Sequence, residues 1–117
     1  MRVKGSVLIR YLYRDGDGVP RDYAVSAKWF KLAADRSYSR AQLELGALYR
    51  DGVGLDKDLV QAHIWFNLSA RNAEWGASEY QEAVNARKEV ERKMSADQIA
   101  KARQLAADWK PVKVSGN

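Results

Sequence analysis

The chain offers few side chains that could do chemistry. His63 is the only histidine and cysteine is absent, which excludes zinc sites built on paired histidines and thiol nucleophiles. No Ser-x-x-Lys motif occurs, so the mark of a penicillin-reactive serine is missing. His63 follows Ala62 on a predicted helix, and we expect it to be a partly buried structural side chain. We therefore predict no catalytic residue, no metal site and no cofactor.

Two glycine-containing loops have features of ligand sites. The run at 15–18 begins like a calcium loop, but its glycine comes too early and Ser26 stands where a bidentate Glu would belong. The Gly-x-Gly pairs at 16–18 and 52–54 precede helix starts, yet they lack the later glycine of a dinucleotide site and the ending of a P-loop. Both loops are predicted to be turns.

These loops belong to a segment that occurs twice. Residues 12–34 and 48–70 share eleven identical residues in twenty-three aligned positions, at a spacing of thirty-six. A period of about 20 to 50 residues is typical of a solenoid, in which each unit buries its apolar face against a neighbour. The sequence therefore predicts a single repeat domain whose function lies on a surface.

Each unit is predicted to be a helix, a loop and a second helix. Gly16 is expected to end the first helix in the left-handed conformation, and Asp22 and Asp58 are expected to cap the second helices. A capping box of Ser95 and Gln98 separates two longer helices after the repeats. The predicted helices span residues 5–14, 23–35, 39–50 and 59–71, with two more within 75–110.

Apolar residues at helical spacing mark the predicted core. The dipeptides at 29–30 and 65–66 are both Trp-Phe and lie on stripes with small alanines, so we expect all four aromatic side chains to be buried. Gly46 lies inside a helix, where glycine costs about 1 kcal/mol relative to alanine, so we expect close approach of another helix. The helices after the repeats carry the predicted stripes Trp75, Tyr80, Ala83, Val84, Val90, Met94 and Ile99, Ala102, Leu105, Ala106, Trp109.

The repeat resembles a known family. Its loop reads Leu-Tyr-Arg-Asp-Gly-x-Gly, and the patterns that follow are Asp22-x-x-x-Ser26-x-x-Trp29-Phe30-x-x-Ala33-Ala34 and Ala41-x-x-x-Leu45-Gly46-x-x-Tyr49. This combination resembles the Sel1-like repeat family over residues 5–71. Ser26 and Ser37 depart from the pattern, since they stand where the family usually has alanine and glycine.

The resemblance implies an all-α helical-repeat solenoid related to tetratricopeptide repeats. It would comprise two repeats, 5–35 and 39–71, and a C-terminal two-helix cap, 75–110, in one domain spanning 1–117. It also implies a non-catalytic adaptor or scaffold that binds a protein or peptide, as in bacterial envelope and signalling proteins. The absence of cysteine sets the chain apart from the disulfide-linked branch of the family, so the penicillin-binding activity of that branch does not carry over.

The candidate partner-binding face lies on the first helix of each unit, opposite the buried direction set by Ala41, Leu45 and Tyr49. In both units two small or apolar side chains lie between two cations, which suits a peptide that carries apolar anchors and carboxylates. Packing of adjacent first helices would explain the same pattern, and both hypotheses stay open. The predicted residues are Lys4, Val7, Tyr11, Arg14, Arg40, Leu43, Ala47 and Arg50.

Two other classes of function stay open: an enzyme of β-lactam or cell-wall chemistry, and a weak nucleic-acid binder. The second rests on the net charge of +5, because residues 1–40 carry nine basic and four acidic side chains. Lysines and arginines spread singly along helices are more often a solvated face. A covalent adduct with labelled penicillin would favour the enzyme, and salt-dependent retention by DNA or RNA would support the nucleic-acid binder.

The N-terminal flank carries a further expectation. Val3, Val7, Leu8 and Tyr11 would lie uncovered on the first unit, and such a patch predicts self-association through residues 1–30 as a two-fold dimer. Upstream repeats covering the patch are the alternative. No apolar run approaches the ~20 residues of a membrane span. We expect a soluble protein, cytoplasmic, or periplasmic if an upstream signal was removed.

Overall fold

A computed structural model describes residues 23–112, and this part of the chain forms five α-helices and no β-strand. The helices are α1 (Tyr23–Ala34), α2 (Ser39–Asp51), α3 (Leu59–Asn72), α4 (Ser78–Glu91) and α5 (Ala96–Asp108). The predicted all-α repeat solenoid is confirmed, and the predicted helix starts at 23, 39 and 59 are correct. The predicted helix at 5–14, its end at Gly16 and the cap Asp22 lie outside the described residues.

Side-chain caps fix the starts of two helices, α3 and α5. Asp58 Oδ1 accepts a hydrogen bond from the Gln61 backbone N–H at 3.0 Å, which caps α3 as predicted. At α5 the predicted capping box is complete. Ser95 Oγ accepts from the Gln98 N–H at 3.1 Å, and Gln98 Oε1 accepts from the Ser95 N–H at 2.9 Å. Each cap satisfies backbone donors that the first turn of a helix leaves unpaired.

Two residues at helix ends adopt the left-handed conformation. Gly52 ends α2 with a φ of 69°, and its N–H donates to the Leu48 carbonyl oxygen at 2.8 Å. Ser37, between α1 and α2, has a φ of 73°. A left-handed conformation costs a non-glycine residue roughly 1–2 kcal/mol. The structure thus gives the physical reason why the repeat pattern has glycine at the position of Ser37.

Helix α3 is the centre of the fold, since it packs against α2, α4 and α5. Two buried clusters lie on different sides of it. The first contains Phe30, Ala34, Ala41, Leu45, Ile64, Trp65, Leu68, Ala102 and Ala106. The second contains Leu43, Ala62, Phe66, Ala70, Ala83 and Val90. Because both sides of α3 are covered, its neighbours are held at fixed positions around it.

Gly46 is the point of closest approach between α2 and α3. A Cβ atom built on Gly46 would lie 2.7 Å from two ring carbons of Phe66, a distance that real Cβ contacts do not show. Phe66 is fully buried, so the ring is enclosed on all sides. The predicted close contact at Gly46 is confirmed.

The burial predicted for Trp29 is wrong. Its side chain is 55% exposed, whereas Phe30 and Trp65 are 2% and 3% exposed. Among the helices of the described part, α1 packs most extensively against α2. The buried stripe of α1 comprises Ser26, Ala27, Phe30 and Ala34. At about 100° per residue, Trp29 lies roughly a third of a turn away from the centre of that stripe.

Three aromatic or aliphatic side chains of the predicted C-terminal stripes are also exposed, contrary to expectation. Trp75 is 101% exposed because it lies in the connection before α4 begins. Tyr80, 51% exposed, lies in the first turn of α4, before the buried positions Ala83 and Val90. Leu105 is 41% exposed. It lies beside the narrow stripe of α5 that faces α3, whose buried members are Ala102 and Ala106.

Buried polar groups join the first three helices. Gln42, which is fully buried, donates from Nε2 to the Ala34 carbonyl oxygen at 3.0 Å and accepts from Asn72 Nδ2 at 3.1 Å. Ser69 Oγ donates to the Ser39 carbonyl oxygen at 2.7 Å. A buried polar group is costly without a partner, so these bonds favour one alignment of α1, α2 and α3.

The chain after α5 packs against both earlier units. Trp109 meets Trp65 edge-on, with ring centroids 5.9 Å apart and an interplanar angle of 76°. The N–H of Val112 donates to the Asp35 carbonyl oxygen at 2.8 Å, at the end of α1. The C-terminal helices are therefore tied to α3 and to α1.

Candidate interaction site

The predicted partner-binding strip of α2 lies against α4. Leu43 is 8% exposed and belongs to the buried cluster with Phe66 and Ala83, so it is a core residue and not part of an open surface. Ala47 is half-buried against the same cluster. The physical reason is that α4 covers this side of α2, as the alternative hypothesis of packed first helices required. The predicted residues Lys4, Val7, Tyr11 and Arg14 lie outside the described part of the chain.

Arg40, at the start of the strip, holds α2 to α4. Its guanidinium lies 3.2 Å from Glu82 and 3.7 Å from Glu79, both on α4, and 3.9 Å from Glu44 on α2. Ser39 Oγ also donates to Glu79 at 3.3 Å. The charge of Arg40 is therefore matched within the fold, and its main role is to fix the relative position of the two helices.

Arg50, at the other end of the strip, is held in place but remains at the surface. Its Nε and Nη2 donate to the two carboxylate oxygens of Asp51 at 2.9 and 3.0 Å, and its guanidinium carbon lies 5.9 Å from the centre of the Phe66 ring. The hydrogen bonds to Asp51 raise the pKa of Arg50 and lower the pKa of the Asp51 carboxyl. This two-point contact orders a side chain that would otherwise sample many rotamers.

Arg50 borders a cleft of about 600 Å³ at the end of α2, which we call the basic cleft. Its walls come from the end of α2, the loop before α3, the first residue of α3 and the end of α4. The lining residues are Arg50, Asp51, Lys57, Leu59, Glu89, Val90, Arg92 and Lys93. Four of these side chains are basic and two are acidic, so the cleft carries two positive charges in excess. Its volume lies in the ~300–1,000 Å³ range of protein ligand clefts.

Three cations of the basic cleft lack the ion-pair partners that Arg40 and Arg50 have among the described residues. Within residues 23–112, the exposed side chains of Lys57, Arg92 and Lys93 form no hydrogen bond or salt bridge. Lys57 and Lys93 do act on Asp51, whose pKa their charges lower after the larger effect of the Arg50 hydrogen bonds. These cations are thus close to the cleft and can contact a ligand without breaking an ion pair.

Sequence reasoning identified Arg50 and missed the other three cations. Lys57 is the last residue of the predicted loop before the cap Asp58, and Arg92 and Lys93 follow the last turn of α4, so none of them belongs to the repeated strip. A basic pair after a helix was the available signal, but it has the ordinary explanation of complementing the helix dipole. Only the packing of α4 against α2 and α3 brings the three together.

The comparisons with known proteins agree with this architecture. The Sel1 repeat family model matches residues 5–38 and 39–73, which is more than half of the chain.

The chain belongs to the Sel1 repeat family.

Sel1 repeats typically serve as non-catalytic protein–protein interaction modules, and the second matched segment contains α2 and α3. A similar solved structure is the crystal structure of c5321, a protective antigen present in uropathogenic Escherichia coli strains that displays an SLR fold. The TM-score is 0.77 at 25% identity, over 96% of this chain and 27% of that chain. The Sel1 repeat chain thus spans about a quarter of the length of that antigen. No curated protein matches the chain.

The single histidine of this Sel1 repeat protein is buried in the core. His63 is fully buried, and its Nε2 lies 2.7 Å from Glu91 Oε2, which joins α3 to α4. Because a carboxylate only accepts, Nε2 carries the proton. Arg103 of α5 also lies 3.8 Å from the same Glu91 oxygen. His63 is a structural side chain as predicted, more deeply buried than expected, and it is not exposed to a substrate.

The hydrogen bond from His63 is the main reason why the pKa of Glu91 is lowered from its ordinary value, with smaller effects from the charges of His63, Arg103 and Arg87. Burial acts in the opposite direction. His63 Nδ1 has no hydrogen-bond partner among the residues that the structure describes. The pairing with Glu91 is therefore the polar contact that stabilises this ring in the core.

Replacing Glu91 by alanine is expected to lower the free energy of unfolding by about 1–3 kcal/mol at neutral pH, because a buried N–H of His63 loses its acceptor. The folded-state pKa of Glu91 lies below the ordinary 4.5. Its carboxylate therefore contributes stability above the unfolded-state pKa, and this contribution is lost as the pH falls through the folded-state pKa. Urea denaturation should show the full difference near neutral pH and a shrinking difference as the pH falls below the ordinary pKa of 4.5.

Glu89→Ala is the matched control for this prediction, since Glu89 is an exposed carboxylate in the same last turn of α4. It should leave the denaturation midpoint nearly unchanged. Equal losses in the two variants, or a Glu91→Ala difference that does not depend on pH, would contradict the role assigned to the His63–Glu91 pair.

Between residues 23 and 112, no group of three His, Asp or Glu side chains is placed to hold a metal ion. No helix in that range is long and apolar enough to cross a membrane.

Proposed function

We propose that this Sel1 repeat protein is a non-catalytic adaptor that binds a partner protein at the edge of its α2–α4 face, where Arg50 borders the basic cleft. The observation that carries the proposal is the contrast along this face. Toward Arg40 the charges are matched and Leu43 is buried, while Arg50 borders a cleft of about 600 Å³. Within residues 23–112, the cleft cations Lys57, Arg92 and Lys93 form no ion pair.

The packing explains how such a site would work. Helix α3 is fixed by α2, α4 and α5, and Arg50 is oriented by Asp51. A partner would therefore meet side chains whose positions are already set, which lowers the entropy lost on binding. Of the predicted strip, Arg50 is the contact residue in this proposal, and Arg40 and Ala47 support it. Lys4, Val7, Tyr11 and Arg14 remain predicted contact residues outside the described part of the chain.

Site-specific photo-crosslinking in an extract of the native host tests the proposal. A photoreactive residue is placed at Lys57, in the wall of the cleft, or at Lys101, an exposed control position on α5. We expect one partner protein to be crosslinked from position 57 in preference to position 101. An Arg50→Glu variant should lose the adduct, with thermal unfolding used to check that it still folds. Equal labelling from both positions would contradict the proposal.

Self-association through residues 1–30 is a second proposal, supported by Val25 and Trp29 of α1, which are 44% and 55% exposed. Contiguous apolar surface of this kind is common at interfaces. Sedimentation at micromolar concentration, with Trp29→Glu alongside, decides it. A wild-type chain that remains monomeric would remove the dimer.

A further inference from the structure

We propose that the basic cleft recognises an acidic linear segment of the partner protein, with carboxylates on both sides of one apolar side chain. This inference rests on the proposed adaptor function and adds the chemical class of the bound segment. It follows from the charges, the apolar floor and the acidic residues of the cleft, each of which restricts what can bind there.

The cations lie on two different walls of the cleft. Lys57 comes from the loop between α2 and α3, and Arg92 and Lys93 follow the end of α4. Arg50, at the end of α2, also lines the cleft and is fixed by its two hydrogen bonds to Asp51. A segment that enters the cleft would therefore have positive charge on both sides. Carboxylates placed on either side of a central residue would match this arrangement.

Leu59 and Val90 form the apolar part of the lining. Val90 is 2% exposed and belongs to the core cluster, and Leu59 packs against that cluster while remaining half-buried. The apolar surface at the bottom of the cleft is thus small and rigid. It suits a single aliphatic or aromatic side chain as an anchor, and it is too small for an amphipathic helix with several anchors.

Asp51 and Glu89 favour a peptide over a nucleic acid as the ligand of the cleft. Both carboxylates line the cleft among the cations, and they would repel the continuous negative charge of a phosphate backbone. Toward a peptide they are favourable, because a carboxylate can accept hydrogen bonds from backbone N–H groups. A segment with both N–H donors and side-chain carboxylates complements both signs of charge in the cleft.

The test uses a fluorescein-labelled peptide of sequence Glu-Glu-Leu-Glu-Glu and its Gln-Gln-Leu-Gln-Gln analogue. Binding is measured by fluorescence anisotropy at about 0.15 M ionic strength, where charges more than about 8 Å from the peptide are largely screened. We expect the acidic peptide to bind the full chain, and the neutral analogue to bind at least about tenfold more weakly. Lys57→Glu/Lys93→Glu should weaken binding of the acidic peptide by about tenfold or more. The matched control Lys28→Glu/Lys101→Glu makes the same change in net charge at exposed positions outside the cleft, and it should change binding by less than about twofold.

Three outcomes would overturn the inference. The first is an equal loss of affinity in the two double variants, and the second is equal binding of the two peptides. The third is a single-stranded oligonucleotide that binds more tightly than the acidic peptide and displaces it. Thermal midpoints of both variants confirm that they are folded. The crosslinking experiment separates this inference from the adaptor function. If the Lys57→Glu/Lys93→Glu chain still captures the partner through a photoreactive residue at position 92, the acidic-segment inference falls and the adaptor function stands.

Discussion

Trp65→Ala is expected to lower the free energy of unfolding by about 3–5 kcal/mol, as large-to-small substitutions of buried aromatic residues do. Trp65 is 3% exposed and lies in the first core cluster. It contacts Trp109 edge-on, and Lys31 Nζ lies 5.8 Å from its ring centre. Removing the ring would leave a cavity between α1, α3 and the segment after α5. Chemical denaturation monitored by circular dichroism measures the loss.

Trp29→Ala is the internal control, because the same residue stands thirty-six positions earlier in the repeat. Trp29 is 55% exposed, and its replacement should cost about 1 kcal/mol or less. Trp65→Phe should also be milder than Trp65→Ala, since it keeps an aromatic ring and removes an indole N–H that has no partner among the described residues. Equal costs for Trp29→Ala and Trp65→Ala would show that the burial of the two units is assigned incorrectly.

Gly46→Leu is expected to destabilise the fold by about 1–3 kcal/mol or more through overpacking, although leucine is the better helix former. Even a Cβ atom at this position would lie 2.7 Å from the Phe66 ring. Phe66 is fully buried in the second cluster and cannot move into solvent. The thermal midpoint and the urea midpoint should both fall. A stabilised Gly46→Leu chain would contradict the close contact between α2 and α3.

A double-mutant cycle shows whether Phe66 is the cause. Gly46→Ala adds only the clashing methyl group, and Phe66→Leu removes the ring atoms that it meets. The cost of Gly46→Ala should therefore be smaller in the Phe66→Leu background than in the wild type. Additive costs would mean that the two residues are not coupled.

The helices were predictable from sequence because their determinants are local. The caps Asp58 and Ser95 act on backbone groups three residues away, and both are confirmed. The thirty-six-residue repeat placed the starts of α1, α2 and α3. Gly46 was predictable for a different reason, since a glycine inside a helix has a cost that close packing offsets.

Burial was less predictable, because it depends on what lies next to a helix. Trp29 and Trp65 occupy the same position of the repeat, yet only α3 has α5 and Trp109 against its tryptophan. Leu43 shows the opposite effect. It was assigned to a binding surface from the geometry of α2 alone, and α4 buries it.

The basic cleft could not be derived from sequence for a related reason. Arg50, Lys57 and Lys93 belong to three separate elements, and their approach depends on how α4 packs on α2 and α3. Repeat reasoning finds residues that recur in each unit, whereas Arg92 and Lys93 lie after the second matched segment. The site combines four residues of the second repeat with four residues of the C-terminal helix that follows it and its end.

The central claim is that this Sel1 repeat protein binds a partner at the basic cleft, and the crosslinking yield from position 57 relative to position 101 tests it most directly. A ratio well above one, lost in an Arg50→Glu variant that remains folded, is the result that the adaptor function predicts. A ratio near one, or a yield that the charge reversal leaves unchanged, would contradict it.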